Sequence, residues 1–159
     1  MVKDLTEKLT PSHLMADFCS GEPVLDEWLR RRALQNEESG ATRTFVLCVG
    51  GNKRVIGYYS LSTGAIQREA VPGAFRRNMP EPIPVVLTAR FAIDEAYQKQ
   101  RWGGKMLREA VMRTMLISQV IGVRGLVVHA LTDNAKAFYQ RFGFVVSPIQ
   151  SHTLVLPIR

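Results

Sequence analysis

The chain has few cysteines, no long apolar run and no secretion signal, and each absence excludes a class of protein. Its two cysteines, Cys19 and Cys48, provide neither a disulfide framework nor a close-spaced metal site. No stretch of about 20 residues is apolar enough to cross a bilayer, and the N-terminus lacks the charged and apolar regions of a signal peptide. We therefore expect a protein of the reducing cytoplasm with no membrane contact and no bound metal.

Acidic residues are scarce relative to basic ones. The 159 residues include 21 Lys and Arg against 14 Asp and Glu, which gives a net charge of +7 and a pI near 9.8. Such an excess favours polyanionic partners, namely nucleic acid, phosphorylated cofactors or an acidic protein. The clusters Arg30–Arg32 and Arg76–Arg77 concentrate the charge. A solvated surface explains such clusters equally well, so charge alone indicates only a class of partner.

The first half of the chain predicts a helical segment, a hairpin and a loop. No repeat, low-complexity tract or linker interrupts it, so one domain over residues 1–159 is expected. Ser20 is a candidate N-cap for a helical segment that ends at Gly40. Two β-rich runs flank residues 50–53 and predict a hairpin. Residues 67–84 are rich in proline and other breakers, which predicts a long loop.

Strand and helix patterns alternate in the second half. Residues 85–94 form an almost continuous apolar run, which predicts a central strand covered on both faces. A strand over residues 125–131, a helix opened by Asp133 or Asn134, and a closing strand pair follow a longer helix. This order predicts a mixed α/β domain with strand–helix–strand crossovers. The longer helix has helical spacing at Met106, Leu107, Ala110, Val111, Met115, Ser118 and Ile121.

The turn before that longer helix, residues 98–104, has features of an anion-binding site. A loop that runs straight into a helix directs unpaired N–H groups at one point, and the helix dipole adds positive potential there. Gly103 and Gly104 permit close approach to the backbone, while Lys99 and Arg101 supply charge. A helix start without a ligand has the same features, so the turn alone does not decide between the two interpretations.

A second motif favours the ligand-binding interpretation. The stretch "LTDNAKAFYQRFGF" resembles the motif of the GNAT N-acetyltransferase superfamily, and Gln98 and Gly103 fit the first and last positions of that family's cofactor loop. Arg101 departs from the loop pattern, because it stands where the family has its first glycine. The matching positions of the motif are Asn134, Ala137, Phe138, Tyr139, Gly143 and Phe144.

The resemblance extends over nearly the whole chain. The segments "GYYSLSTG", "FRRNMPEPIPVVLTARFAID" and "IGVRGLVVHALTDNAKAFYQRFGF" are similar to TacT-type toxins of bacterial toxin–antitoxin pairs. This implies transfer of acetyl from acetyl-CoA to the α-amino group of aminoacyl-tRNA, inhibition of translation and neutralisation by a ribbon-helix-helix antitoxin. It also implies a homodimer. The implied GNAT fold is a mixed sheet of about six to seven strands, splayed between strands 4 and 5, with flanking helices.

The resemblance also implies a cofactor site. The pantetheine arm of acetyl-CoA would lie along the backbone of the fourth strand, and its pyrophosphate would bind the N–H groups of the turn. Asn134 would contact the pantetheine arm and also cap its helix. The expected cofactor residues on the strand are Phe91, Ala92 and Ile93, and those in the turn are Gln98, Lys99, Gln100, Arg101, Trp102, Gly103 and Gly104.

Tyr139 is the expected catalytic residue. At the matched position a tyrosine protonates the leaving sulfur, and an ordinary phenol with a pKa of about 10 is protonated at neutral pH. A role as a core aromatic is the alternative. No base is assigned, because an α-amino group titrates near neutrality and does not require a strong protein base. A water relay to a backbone carbonyl is one open alternative. His129 lies in an apolar strand and is interpreted as structural, and His13 and His152 have no evident partner.

Phosphate contacts are expected to supply much of the tRNA affinity and its salt dependence. Arg76 and Arg77 in the long loop are the first candidates, followed by Arg30, Arg31 and Arg90. Lys136 and Arg141 are secondary candidates. The pocket for the amino acid is expected to form from residues 57–64 and the long loop.

Two alternatives stay open. One is a GNAT enzyme that acetylates a small amine or a protein N-terminus, for which a basic surface has no evident use. The other is a non-catalytic GNAT fold that binds nucleic acid or the antitoxin, which applies if Arg101 impairs acetyl-CoA binding.

Overall fold

The computed structural model describes residues 4–158, which form two compact units. The first contains the chain up to Ser62 together with Arg90–Ala110. The second contains Thr63–Ala89 and the chain from Val111 onward. The family-typical strand and loop residues therefore belong to the first unit, and the motif around Tyr139 belongs to the second.

The first unit contains antiparallel strands β1 (Glu7–Lys8), β2 (Arg43–Leu47), β3 (Gly57–Ile66) and β5 (Phe91–Ile93), in that order. Strand β3 continues into the second unit. The predicted hairpin is confirmed as the β2–β3 pair, and residues 48–56 connect its strands. Gly50 and Gly51, both with φ of 73°, provide the left-handed backbone of that connection.

The predicted N-terminal helical segment is two helices. Helix α1 (Pro23–Arg31) and helix α2 (Ala33–Ser39) meet at Arg32, whose φ of −122° interrupts the helical backbone. Ser20 is not the N-cap, since Glu22 occupies that position. The Ser20 hydroxyl donates instead to Oδ1 of Asp26 at 2.6 Å. The predicted end at Gly40 is confirmed by its left-handed φ of 82°.

The second unit contains the end of β3, then β4 (Ile83–Thr88), β6 (Gly125–His129), β8 (Thr153–Pro157) and β7 (Val145–Val146), in this order in the sheet. Strands β4 and β6 are parallel, and β6 and β8 are antiparallel. Helix α5 (Asp133–Phe142) follows β6.

The expectation of one continuous strand over residues 85–94 is wrong. The segment forms β4 and β5, separated by Ala89 and Arg90, and the two strands pair with different neighbours. Strand β4 pairs with β6, and β5 pairs with β3, with the N–H of Ser60 donating to the Arg90 carbonyl at 3.1 Å. An apolar run does not encode such a change of partner, because both strands are buried.

The long loop is anchored to the second unit. It contains a helical turn at Arg68–Ala70 and the short helix α3 (Gly73–Arg76). Val71 and Phe75 of the loop pack with β4, β6 and β8 through a core that includes Val127. This apolar packing holds the loop on one face of the sheet.

Helix α4 (Trp102–Ser118) runs through both units. Met106, Leu107 and Ala110 are fully buried, as their spacing predicts. Met115 and Ile121 do not continue the buried face, since they are 45% and 49% exposed. Ile121 also lies beyond the end of the helix. Within residues 4–158, no helix combines the length and hydropathy needed to span a membrane.

Candidate active site

The residues expected to line the pantetheine arm form β5. Ala92 pairs with Tyr58 and Ile93 with Gly57 of β3, and both Ala92 and Ile93 are buried. No second strand of the described chain pairs with β5. The strand therefore fits the expected role of an edge along which an extended ligand lies.

Two polar side chains hold the turn that follows β5. Asp94 accepts hydrogen bonds from the N–H of Ala96 at 3.0 Å and from the N–H of Cys19 at 3.1 Å. The side-chain amide of Gln98 donates to the carbonyls of Ser20 and Ile93, at 2.9 and 2.8 Å. The amide nitrogen of Gln98 therefore positions the turn, a role that its place in the family motif did not reveal.

The turn has a glycine-type backbone without glycine at its centre. Lys99 has a φ of 64° and Arg101 a φ of 69°, both in the left-handed region. For a residue with a Cβ, this conformation is less favourable by roughly 1–2 kcal/mol than the right-handed one. Arg101, which replaces the family's glycine, thus keeps the backbone geometry that glycine would adopt. Both side chains are exposed.

The N–H groups of this turn are available to a ligand. Those of residues 99–104 have no acceptor within the described chain. Helix α4 begins at Trp102, so its first N–H groups are the ones that a helix leaves unpaired. A Cβ at Gly104 would meet open space, so the backbone is accessible there. Unpaired donors, a helix N-terminus and two cationic side chains fit a pyrophosphate.

Helix α5 has a different N-cap from the one expected. The hydroxyl of Thr132 accepts the hydrogen bond from the N–H of Ala135 at 3.1 Å, so neither Asp133 nor Asn134 is the cap. Asn134 is exposed, and its side chain has no hydrogen-bond partner in the part of the chain that the structure describes. Its amide is therefore available for the predicted contact with a ligand.

Tyr139 lies within an aromatic cluster at the end of α5. It is 4% exposed and contacts the rings of Phe138 and Phe144, with centroid distances of 5.4 and 5.6 Å. Burial raises the pKa of Tyr139 above the ordinary phenol value of 10. The phenol is therefore protonated at neutral pH, as a general acid must be, and core packing and an acid role are compatible.

The two arginines of the long loop differ in their contacts. Arg76 is half-buried and donates through Nη1 to the carbonyls of Arg68 and Val71, both at 3.3 Å. Arg77 is exposed, and its guanidinium has no partner within residues 4–158. Arg76 therefore stabilises the loop, and Arg77 is the better placed of the two to bind an external phosphate.

The other predicted tRNA contacts show the same division. Arg30 donates to the Phe18 carbonyl at 2.7 Å, and Arg90 lies over the Trp28 ring at 4.3 Å. Burial lowers the pKa of Arg90. Arg31 is exposed and has no side-chain partner in the described chain.

A groove of about 340 Å³ opens on the sheet face of the second unit. Its lining partly matches the predicted amino acid pocket, since Gly64 belongs to the "GYYSLSTG" segment and Gln67 and Ala70 to the long loop. His129, for which the apolar strand predicts a structural role, and Gln150, which no sequence motif indicates, also line the groove. The volume is in the range of small-molecule sites.

One group of ligand-type side chains lies outside this region. Within residues 4–158, the ligand atoms of Glu7, His13 and Cys48 lie within 4.8 Å of one another. Nδ1 of His13 accepts from the N–H of Thr10 at 3.0 Å, so Nε2 carries the proton and donates to Glu7 at 2.9 Å. With both ring nitrogens engaged and Lys53 also 3.3 Å from Glu7, this group is an ion-pair cluster.

The β5 edge, the unpaired turn and the tyrosine on α5 are features that a known family shares. A family profile described as Acetyltransferase (GNAT) domain matches residues 41–146. The chain belongs to the GNAT acetyltransferase family. A curated relative of this GNAT chain, the tRNA-acetylating toxin of Mycobacterium tuberculosis, is 44% identical over 142 residues, which are 89% of this chain and 84% of the relative.

Solved GNAT structures agree with this assignment. A tyrosine-to-phenylalanine mutant of KacT has a TM-score of 0.90 at 29% identity, over 96% of this chain and 93% of the other. AtaT complexed with acetyl-methionyl-tRNAfMet has a TM-score of 0.88 at 28% identity, over 96% and 93%. A mutant AtaT bound to the C-terminus of the antitoxin AtaR and acetyl-CoA has a TM-score of 0.81 at 28% identity, over 96% and 91%.

The predicted mixed α/β GNAT fold, acetyltransferase class and acetyl-CoA cosubstrate are confirmed by this membership and these similarities. The described residues contain eight strands, where the resemblance implied six to seven. The roles of Tyr139, Asn134 and the turn residues of this GNAT enzyme stay predictions.

Proposed function

We propose that this GNAT acetyltransferase moves an acetyl group from acetyl-CoA to the α-amino group of an aminoacyl-tRNA and thereby inhibits translation. The observation that carries the proposal is 44% identity to a tRNA-acetylating toxin over 89% of the chain. The structural similarity to AtaT in complex with acetyl-methionyl-tRNAfMet supports the same class of substrate.

The residues of the first unit suit the binding of acetyl-CoA, which supplies the acetyl group as a thioester. The backbone of β5 would hold the pantetheine arm, and the unpaired N–H groups of residues 99–104 would hold the pyrophosphate. The charges of Lys99 and Arg101 add to the attraction. Asn134, whose amide has no partner in the described part of the chain, is the residue that the family motif assigns to the pantetheine arm.

Tyr139 would act as the general acid. When the substrate amine attacks the thioester carbonyl, the C–N bond forms, the C–S bond breaks and the sulfur gains negative charge. The buried, protonated phenol donates its proton toward that sulfur. Since the pKa of Tyr139 is raised, we expect it to stay protonated over the whole neutral range.

The basic surface would bind the tRNA backbone. A net charge of +7 attracts phosphates at long range. Arg31 and Arg77 are exposed and have no side-chain partner among residues 4–158, so they suit direct contacts. Arg76, Arg30 and Arg90 make contacts within the protein, so their contribution to tRNA binding would be more indirect.

The regulatory partner would be an antitoxin of the ribbon-helix-helix type. The similarity to AtaT bound to the C-terminus of AtaR supports an antitoxin as partner, and the TacT-type resemblance supports the type. The same resemblance supports a homodimer. We place the reaction in the cytoplasm because aminoacyl-tRNA is used there.

The direct test is incubation of the purified protein with labelled acetyl-CoA and a panel of individually charged tRNAs. Label should enter at least one aminoacyl-tRNA, and should not enter the same tRNA when it is uncharged or its amine is already blocked. Absence of label from every charged tRNA would refute the proposal. Label in small amines or peptide N-termini would then support the alternative GNAT substrate.

A thermal shift with acetyl-CoA separates an enzyme from a binding-only protein. A specific ligand raises stability by about 2.7 kcal/mol at a hundred times its Kd. We expect a clear rise in Tm, and no rise at any acetyl-CoA concentration would favour the non-catalytic alternative.

A further inference from the structure

The end of β6 is the point at which two paired strands of the second unit separate. The parallel ladder between β4 and β6 has its last pair at Thr88 and Val128. His129 is the next residue of β6, and it pairs with Thr153 of β8 on the other side. Within the described residues, His129 therefore has a paired strand on one side only.

His129 lies on the groove face of the sheet. Side chains alternate along a strand, so Val127 and His129 share one face, and both line the groove. Val127 packs with Val155 of β8, so Val155 lies on the groove face. Leu156, the next residue of β8, lies on the opposite face. Gly143, at the end of the helix that carries Tyr139, lies near Leu156. His129 and α5 thus belong to opposite faces of the second unit's sheet.

A hydrogen-bond relay fixes which nitrogen of His129 carries the proton. The Thr153 hydroxyl donates to Oε1 of Gln150 at 3.0 Å, and its oxygen lies 2.9 Å from Nδ1 of His129. A hydroxyl has one proton, so toward His129 it is an acceptor and Nδ1 is the donor. Nε2 then carries the lone pair.

This imidazole is exposed at the groove, and its partial desolvation favours the neutral form. Desolvation lowers the pKa of His129 below the ordinary value of 6.5. Among the described residues that line the groove, His129 is the titratable one. Several charged groups on the neighbouring elements are engaged elsewhere, and Glu69, which precedes Ala70 of the lining, is exposed to solvent. Arg68 binds the carbonyls of Arg76 and Met79, Glu81 accepts from the N–H of Arg68, Arg124 binds the carbonyls of Phe75 and Ala74, and His152 pairs with Asp133.

We propose that His129 is a further catalytic residue, whose Nε2 accepts a proton from the α-amino group of the aminoacyl-tRNA in the groove, with Thr153 and Gln150 holding it in the reactive tautomer. The inference rests on the proposed function, because it requires an amine as the nucleophile. It assigns the base that the sequence left unassigned, and it gives the groove the role of holding the aminoacyl end.

The proton transfers balance with the acid already proposed. The amine nitrogen attacks the thioester carbonyl, the C–N bond forms and the nitrogen becomes positively charged. Nε2 of His129 takes a proton from that nitrogen, the C–S bond breaks, and the phenol of Tyr139 protonates the sulfur. Imidazolium and phenolate then return to their neutral forms by proton exchange with water.

The test compares the parent with His129→Gln, which keeps a polar side chain of similar reach and cannot accept a proton near neutrality. Single-turnover rates at saturating acetyl-CoA and aminoacyl-tRNA should fall about 100-fold at pH 7. In the parent, both the amine and His129 must lose a proton, so log rate should rise with a slope near two at low pH. In the variant, only the amine titrates, and the slope should be near one.

His152→Gln is the matched control. His152 is the neighbouring histidine, is partly exposed and pairs with Asp133 at 2.8 Å, so its rate and slope should equal those of the parent. Equal thermal stabilisation of parent and His129→Gln by acetyl-CoA would show that the variant is folded and binds its cosubstrate.

A spectroscopic readout tests the relay without turnover. Nitrogen NMR of ¹⁵N-histidine-labelled protein should show His129 protonated at Nδ1, and Thr153→Val should abolish this preference. Addition of puromycin, an aminoacyl nucleoside with a free α-amine, should shift the Nε2 resonance of His129.

The outcomes separate the two claims. If the parent acetylates aminoacyl-tRNA and His129→Gln has the same rate and slope, the assignment of His129 is wrong while the proposed function stands. A proton found on Nε2 of the resting protein would overturn it as well. If the parent acetylates no aminoacyl-tRNA, the proposed function falls and the inference falls with it.

Discussion

Arg101 and Lys99 adopt left-handed backbone angles in a turn where the GNAT pattern has a glycine. Such angles cost a non-glycine residue free energy. This backbone strain persists where contacts on both sides hold the residue in the conformation. Here the side chains of Asp94 and Gln98 fix the residues before the turn, and α4 fixes those after it. The turn thus keeps the left-handed backbone expected of a glycine and gains a positive charge.

Replacement of Arg101 separates the backbone effect from the charge effect. Arg101→Gly should raise the free energy of unfolding by about 1 kcal/mol, because glycine adopts the observed φ without strain. It should weaken acetyl-CoA binding several-fold, because a cation near the pyrophosphate is lost. Chemical denaturation and isothermal titration calorimetry measure the two quantities.

Arg101→Ala is the control, since it removes the charge and keeps the Cβ. It should lose the same affinity as Arg101→Gly without the gain in stability. Tighter acetyl-CoA binding by the glycine variant would instead show that the arginine backbone impairs the site.

Tyr139→Phe tests the acid. Removal of one hydroxyl should lower turnover by about 100-fold or more while acetyl-CoA affinity changes little. Since the pKa of Tyr139 is raised, the parent should show no loss of its acid form up to about pH 10. Rates measured from pH 6 to 10 and calorimetric titration provide the comparison.

Tyr58→Phe is a matched control for stability. Tyr58 is also fully buried, and its hydroxyl donates to the Leu25 carbonyl at 2.7 Å, so its loss should cost about 1 kcal/mol of stability without a change in turnover at saturating substrates. Full activity of Tyr139→Phe would assign Tyr139 to the core alone.

At the scale of secondary structure, the long loop is an element whose two arginines have separable roles. Arg77→Ala should weaken tRNA use and reduce the salt slope of binding by about one, with no change in Tm or acetyl-CoA affinity. Arg76→Ala should lower Tm, because the carbonyls of Arg68 and Val71 lose a donor. Equal effects of both variants on tRNA binding and Tm would contradict this division.

Elements with a local signal were predictable from the sequence. The β2–β3 hairpin followed from its glycine-rich connection, and the helix end at Gly143 followed from the family motif, with a left-handed φ of 111°. The division of residues 85–94 into β4 and β5 was not predictable, because it depends on which neighbours the strands pair with. The N-cap at Thr132 was not predictable either. Asp133 and Asn134 are also residue types that cap helices, and the residue at which the helix starts depends on the fold.

The candidate site shows the same limit. The cofactor turn and Tyr139 were proposed from a motif of fixed spacing, and their roles stay predictions. His129, Gln150 and Thr153 are brought together by the pairing of β6 with β8, and nothing in their sequence separation indicates a relay. One domain over residues 1–159 and the homodimer stay predictions.

At the scale of the whole molecule, the net charge of +7 should make the binding of tRNA depend more strongly on salt than the binding of acetyl-CoA. Each phosphate contact contributes about −0.7 to −0.9 to the slope of log affinity against log salt. With about four such contacts, an increase from 50 to 200 mM salt should weaken tRNA binding roughly 50- to 150-fold. In the proposed site, acetyl-CoA would also bind neutral N–H groups and the β5 edge, so its affinity should change much less.

Filter binding of a charged tRNA and calorimetry with acetyl-CoA, each over that salt range, test this prediction. Arg77→Ala provides an internal scale, because the loss of one contact should lower the tRNA slope by about one and leave the acetyl-CoA slope unchanged. Equal salt dependence for both ligands would mean that the excess of basic residues keeps the protein soluble and does not bind tRNA phosphates. The small-amine or peptide substrate would then become the better explanation of this GNAT fold, since neither needs a basic surface.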